Sequence, residues 1–423
     1  MRRSLAVAFD KGAAPLEIHR GLESFADVTY FVTDSPEARR ARPVLETLGP
    51  TVDIRSAADA VVAHRSFPFD GVVTYSERLV RLTAEITASL GLRGHSVHAA
   101  RLLTDKPAQR RRLADAGVST LRFLRIDAVE QWRDAVAVVG LPAVVKPAVG
   151  EGSRNTFLIE DEEQGAALVR HLLDGAADSA EPVLIVEEYL VGTEHHPFAD
   201  YVSVETAVSD GRIDNFMVSG KFPLMPPFRE LGAFWPTHLP DVERKAVEDV
   251  VTAALTALGA GTGIVHSEVK MTADGPQIIE INGRLGGDMN DLGLRSGVGD
   301  LVALGGRLAL GEPAQLGVLE EGKVFFQYST PAPAESSRLI AVEGAAQVRK
   351  MPGVQRYHLF FRPGDELGRG VHWRPMDMVC GVADGHQDMI RMVEAVRATL
   401  TFVIEQEGSE RAMSAAAMTG WTY

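Results

Sequence analysis

The sequence predicts an α/β protein of several packed units, on three observations. Between Leu5 and about Gly94, short β-rich runs (LAVAF, VTYFVT, TVDIR, GVVTY) alternate with helical stretches such as 77–90, the pattern of a small parallel sheet with crossover helices. Farther along, strand-like runs are joined by hairpin signals: Asp210-Gly211 lies between VSVETAV and RIDNFMVS, and Ala273-Asp274-Gly275 between residues 264–271 and 277–281. The 423 residues exceed one typical core, so about three units are expected.

The first unit, 1–95, has no Gly-x-Gly-x-x-Gly turn after its opening strand, so a dinucleotide fingerprint is absent and the unit reads as a scaffold. The second, 96–180, opens with a basic helix expected over 104–116, with Asp105 or Thr104 as N-cap, followed by a strand at 143–146 and a loop at 147–155. The third, 181–423, carries the run VLIVEEY, both hairpins, and a small α/β cap over about 320–410 whose closing helix is expected at 387–405. The final stretch, SERAMSAAAMTGWTY, is open between a fraying end and a cover for a neighbour.

A net charge of −14 argues against nucleic acid or anionic lipid as a partner, because polyanions are captured by Lys/Arg patches. Any bound nucleotide must then be held by a few local cations. The single cysteine, Cys380, excludes an internal disulfide framework and a cysteine zinc cluster, as expected in a reducing cytoplasm. The apolar run after Met1-Arg2-Arg3 is short and soon reaches Asp10 and Lys11, so it reads as a strand and not as a signal peptide. No uncharged run approaches the roughly 20 residues of a membrane span.

Three features carry chemistry. A strand ending Val144-Val145-Lys146-Pro147 runs into Gly150-Glu151-Gly152-Ser153, where backbone N–H groups can wrap phosphate oxygens beside a lysine charge. It is not a Walker A loop, and alone it is equally well a plain turn. Next, the strand ending Val186-Glu187-Glu188-Tyr189-Leu190 meets Gly192 and Glu194, a place to read an adenine edge and ribose hydroxyls, or simply a solvated strand end. Most informative is Glu268 within an apolar strand, then Glu280-Ile281-Asn282-Gly283-Arg284. The period of two puts Glu280 and Asn282 on one face, and the hairpin brings Glu268 beside them. Two carboxylates and an amide oxygen form a hard-oxygen set suited to Mg²⁺. The bland alternative, a salt-bridge network around Arg284, explains poorly why Asn282, Gly283, Gly286 and Gly287 crowd one turn.

In this order and separation the three features resemble the ATP-grasp superfamily over 104–311, and the flanks look like its N-terminal Rossmann-like α/β domain and biotin-carboxylase-like C-terminal lid. The resemblance implies that Lys106 and Lys146 contact ATP phosphates and that Gly150, Gly152 and Ser153 belong to a mobile glycine-rich loop, here with only two glycines and an unusual Arg154. It implies that Glu187, Glu188 and Leu190 border adenine, that Glu194 is the ribose-side acid, and that Glu268, Glu280 and Asn282 hold two Mg²⁺ ions, with Mn²⁺ able to substitute. Arg284 would steady an acyl phosphate and tetrahedral intermediate, with Lys221 helping to neutralise charge.

Within the superfamily, VSVETAVSDGRI, WPTHLP, GIVHSEVKM, GVGDLVALGGRLALGE and DGVVTYSE look like the L-amino-acid ligases. That likeness implies joining of a small-molecule carboxylate and amine, both expected to be amino acids, in a homodimer, with His238 beside the amino substrate and a candidate proton acceptor. Gly287 and Asp288 are expected at the substrate, Asp288 pairing with a cationic group, and the proline-constrained apolar segment 220–240 as a wall for an apolar or aromatic group. The remaining alternatives are a carboxylase-type or purine-pathway ATP-grasp enzyme and a nucleotide-binding regulator without catalysis.

Overall fold

A computed structural model describes residues 2–175, 181–370 and 372–419. The N-terminal strands Arg3–Phe9, Ala26–Val32, Thr51–Asp53 and Gly71–Thr74 form the expected parallel sheet, in the spatial order third, second, first, fourth. Leu5, Val7 and Phe9 enter one core and Ala6 another, so both faces are covered. That is why LAVAF is apolar without alternation. The helix expected at 77–90 is a 3₁₀ turn, Glu77–Leu79, running into Val80–Leu90.

Of the two caps offered at 104–105, Asp105 is used: its carboxylate accepts from the Ala108 N–H at 3.0 Å and starts the helix Lys106–Asp115. The Thr104 hydroxyl instead donates back to the Ala100 carbonyl at 2.8 Å. A four-stranded antiparallel sheet follows, in the order Phe123–Ile126, Leu184–Glu188, Ala143–Pro147, Phe157–Ile159.

The largest sheet has eight antiparallel strands: Gly275–Asn282, Gly263–Thr272, Tyr201–Ser209, Arg212–Lys221, Gly232–Trp235, Val324–Tyr328, Asp377–Ala383 and Val354–Leu359. Val202, Val204, Val265, Val269 and Ile281 face the helix Asp241–Leu258, which buries Val247, Val251, Leu255 and Leu258 against them. The other face carries the polar alternates. On the outer strand, Ile278 and Ile281 both reach this core although they differ in parity, because the pairing slips between Glu268 and Val269 and inserts Ile279. The bulge resets the phase so that Glu280 and Asn282 stay on the polar face. This edge strand is sealed by the helix Lys106–Asp115. Gln109 exchanges hydrogen bonds with the Ile281 backbone at 2.8 and 3.0 Å, and Arg110 donates to the Ile278 and Ile279 carbonyls at 2.6 and 2.5 Å.

Three expectations change in the C-terminal part. The closing helix spans His386–Thr399 and gives way to a strand, Thr401–Gln406, whose β-branched and aromatic residues Thr401, Phe402, Val403 and Ile404 favour an extended chain. The stretch left open pairs with it as the strand Ser409–Ser414 and continues as the helix Ala415–Thr419; its last residues, 420–423, lie outside the described part. The proline-rich segment 220–240 also contains Gly232–Trp235, a four-residue strand in the middle of the large sheet.

Candidate active site

The polar face of the large sheet forms the floor of a cavity of about 580 Å³, walled by the N-terminal unit, the four-stranded sheet and the C-terminal lid. Strand alternation alone brings the floor together. Tyr201, Ser203 and Glu205 lie on one strand, His266, Glu268 and Lys270 on the next, and Glu280 and Asn282 on the edge, with Glu268 directly across from Glu280 and His266 from Asn282. The expected juxtaposition of the two carboxylates and the amide is therefore present: the Asn282 side-chain amide donates to Glu280 Oε1 at 2.8 Å. Lys106 Nζ sits 3.1 Å from Glu280 Oε1 and donates to the Gly150 carbonyl at 2.8 Å.

The cations expected at phosphate each have an acidic partner that fixes their position. Lys146 Nζ and Arg110 Nε both lie 2.7 Å from the buried Glu187 carboxylate. Burial alone would raise the Glu187 pKa, but these two cations outweigh it and hold the group at about 2. Lys221 Nζ is 3.4 Å from Glu230. Its burial disfavours charge, yet Glu230 and Glu268 raise its pKa, so it stays an ammonium. Arg284 uses its whole fork: Nε lies 3.3 Å from Glu77, Nη1 donates to the Leu285 carbonyl at 2.9 Å, and Nη2 is 4.0 Å from Glu151.

The loop at 150–155 is folded down on the cavity. Gly152 and Ser153 have positive φ values of 66° and 52°. Glu151 reaches Lys11 of the N-terminal unit at 2.6 Å, the Gly152 carbonyl accepts from the Trp373 N–H of the lid at 2.9 Å, and Arg154 pairs with Glu181. The loop thus ties the N-terminal unit to the lid across the cavity. Glu187, Glu188 and Leu190 line the same cavity, Glu188 partly drawn outward to Arg122 at 3.0 Å. Gly287 and Asp288 line it as well, Asp288 in the left-handed conformation at φ 58°. Leu224 and Phe228 contribute the expected apolar wall, whereas Phe234 and Trp235 turn into separate cores.

Two expectations are corrected. Glu194 is exposed and is not among the lining residues; the acid packed against Gly192 is Asp200, which pairs with Lys270 at 2.6 Å. The intervening residues 195–199 loop outward, which sequence spacing could not reveal. His238 also stands outside the cavity. It stacks on Phe198 with ring centres 4.4 Å apart and meets His195 at 3.3 Å, on the Phe234 side of the sheet. Burial, then His195 and His386, lower its pKa to about 3, so it is neutral and cannot serve as the expected proton acceptor.

This correction has a measurable consequence. His238→Phe should keep turnover within about threefold of the parent, where loss of a true general base costs roughly 100-fold or more. Because unfolded histidine takes up a proton near 6.5 while folded His238 does so only near 3, its burial costs stability as pH falls through that window. The variant's denaturant midpoint should fall less steeply between those pH values; an unchanged slope with lost turnover would restore the catalytic reading.

Several cavity groups escaped sequence reasoning. His266 bridges the buried Glu205 and, at 3.6 Å, Glu268. Burial opposes its charge, but Glu205 and then Glu268 raise its pKa to about 9. Glu205 also accepts from the Gly286 N–H at 3.1 Å; a Cβ at Gly286 would sit 2.5 Å from the His266 ring, so only glycine fits. Glu77 anchors Arg284, and burial raises its pKa to about 7. The signal for His266 was available in GIVHSEVKM, where it shares the face of Glu268 at a spacing of two.

Among the described residues, no helix is long and apolar enough to cross a membrane, and no group of three or more His, Cys, Asp or Glu side chains is placed to hold a metal ion by itself. Comparison with known proteins places this geometry. Residues 139–291 match an ATP-grasp domain. An uncharacterised protein, y4rH, of Sinorhizobium fredii is 30% identical over 317 residues, 72% of this chain and 62% of that protein. The alanine–anticapsin ligase of Bacillus subtilis is 27% identical over 234 residues, 52% of this chain and 49% of the ligase, so the chain spans about half to two thirds of these relatives. The crystal structure of an L-amino acid ligase from Bacillus licheniformis superimposes with a TM-score of 0.79 at 19% identity, covering 96% of this chain and 99% of that one. Residues 139–291 are therefore an ATP-grasp domain, and the chain has the ATP-grasp fold with its N-terminal α/β unit and C-terminal lid.

Proposed function

We propose that this chain is an ATP-dependent, ADP-forming carbon–nitrogen ligase that joins the carboxylate of one amino acid to the amine of another. The observation that carries the reading is the convergence, in one cavity, of Lys106, Lys146, Lys221 and Arg284 on the face that holds Glu268, Glu280 and Asn282. The similarity to an alanine–anticapsin ligase and to an L-amino acid ligase fold supports the substrate class.

The donor set suits Mg²⁺: two carboxylates and an amide oxygen are hard ligands, and Mg²⁺ is commonly held by one or two carboxylates with phosphate oxygens and water completing its shell. Glu268, Glu280 and Asn282 would hold such ions, which would supply charge neutralisation at the phosphates. The substrate carboxylate oxygen attacks the γ-phosphorus, the bond to the bridging oxygen of ADP breaks, and an acyl phosphate forms. Lys106, Lys146 and Lys221 face the accumulating charge from positions already fixed by Glu280, Glu187 and Glu230, so little reorganisation is needed. The neutral amine then attacks the carbonyl, the C–O bond to phosphate breaks, and the amine proton leaves with the departing phosphate. Arg284 steadies the oxyanion. The folded-down 150–155 loop and Trp373 keep water away from the acyl phosphate.

The test is a screen of ADP release with paired amino acids, followed by mass analysis. The expected result is ADP release that needs both partners and a product lighter than their sum by one water. ADP release that needs bicarbonate in place of an amine would assign a carboxylase-type reaction.

A further inference from the structure

One end of the cavity is left electrostatically and chemically incomplete. Gln327, on the strand Val324–Tyr328, faces the cavity opposite Ala233 and is only 4% exposed. Its Oε1 is buried and meets no hydrogen-bond donor among the described residues. A buried amide oxygen without a donor is costly, so it marks a place where a ligand supplies one. The helix Met289–Arg295 is fastened beside this strand, since Arg295 donates to the Phe326 and Gly381 carbonyls, both at 3.0 Å. Asp288 stands at the start of that helix and opens to the cavity.

Charge at this end is unbalanced. Glu230 has Lys221 as partner. Glu17 accepts only neutral donors, the Asn290 amide at 2.8 Å and the Ala14 N–H at 3.1 Å. Asp288 makes no ion pair or hydrogen bond among the described residues, and its enclosure, with Glu17 and Asp291 nearby, pushes its pKa up to about 6. A neutral donor would satisfy Gln327 but leave Glu17 and Asp288 repelling each other; a cationic N–H donor answers both defects.

We infer that Gln327, Asp288 and Glu17 form a specificity subsite for a positively charged nitrogen group, the ammonium or guanidinium of a basic amino-acid side chain. Gln327 accepts its hydrogen bond and the two carboxylates supply the charge. The inference takes its substrate class from the proposed ligase function and adds which amino acids the site prefers.

The test is calorimetric titration of the full chain, with Mg²⁺ and a non-hydrolysable ATP analogue, using arginine against citrulline and lysine against norleucine. Each pair nearly matches in shape and differs in charge. The cationic member should bind at least about tenfold tighter, and Asp288→Asn and Gln327→Leu should each cut that ratio to about threefold or less. Thermal melting checks that both variants are folded, and Asp288→Asn nearly preserves shape if Gln327→Leu is unstable. Equal affinities within each pair, absence of binding by either cation, or a ratio untouched by both variants overturns the subsite. Binding requires no turnover, so the subsite can fail while paired ADP release succeeds, and the ligase reading can fail while charge selection stands.

Discussion

Glu280→Gln should reduce ligation by roughly 100-fold or more while the melting temperature stays close to that of the parent. The substitution removes one negative charge from the Glu268–Glu280–Asn282 set without changing volume, and Gln can still accept from the Asn282 amide. Structural loss is small because Lys106, freed from its 3.1 Å contact, keeps the Gly150 carbonyl and opens to the cavity. The deficit should appear in kcat and in the Mg²⁺ concentration needed for half-maximal rate. Parent-like turnover at low Mg²⁺ would leave Glu280 a structural partner of Lys106 and nothing more.

Arg284→Lys should fail to rescue function despite conserving charge, with kcat lowered by about 100-fold or more, as expected when a positioned oxyanion donor is lost. Three nitrogens of the guanidinium reach three different partners, Glu77, the Leu285 carbonyl and Glu151, and a single ammonium cannot span that fork. The neighbouring Glu77 would respond too: burial already raises its pKa to about 7, and losing Arg284 removes the opposing cation, so it should become protonated near neutrality. A further signature is uncoupling, in which ADP release persists while amide formation falls, because an unsteadied acyl phosphate loses out to water. Equal ligation rates for parent and variant would restrict Arg284 to structure.

Much of this site was legible because it rests on strand alternation. Glu280 and Asn282 at a spacing of two, joined by a hairpin to Glu268, fix a face and a partner without further information, and the register is as expected. The Asp210-Gly211 turn likewise gave the hairpin between Tyr201–Ser209 and Arg212–Lys221, both turn residues adopting positive φ. Pairings distant in sequence were not legible. Gln327 meets Ala233 across nearly a hundred residues, and Glu77 reaches Arg284 from the N-terminal unit; no local pattern announces either contact. His238 misled because it was carried over by resemblance, whereas the short strand Gly232–Trp235 places Ala233 toward the cavity and leaves His238 with Phe198 and His195. The Thr401–Gln406 strand was hidden because it follows its helix with one residue between, Leu400, and no glycine or proline to break the pattern.

The central claim is that the carboxylate is activated by phosphoryl transfer, and one isotope measurement addresses it directly. The carboxylate partner found by paired screening is labelled with ¹⁸O at its carboxyl oxygens, turned over with ATP and the amine, and the products are resolved by mass. Attack of the carboxylate on the γ-phosphorus predicts that one labelled oxygen appears in inorganic phosphate and the other stays in the amide. Label in AMP, or inorganic phosphate free of label while amide accumulates, would contradict the account.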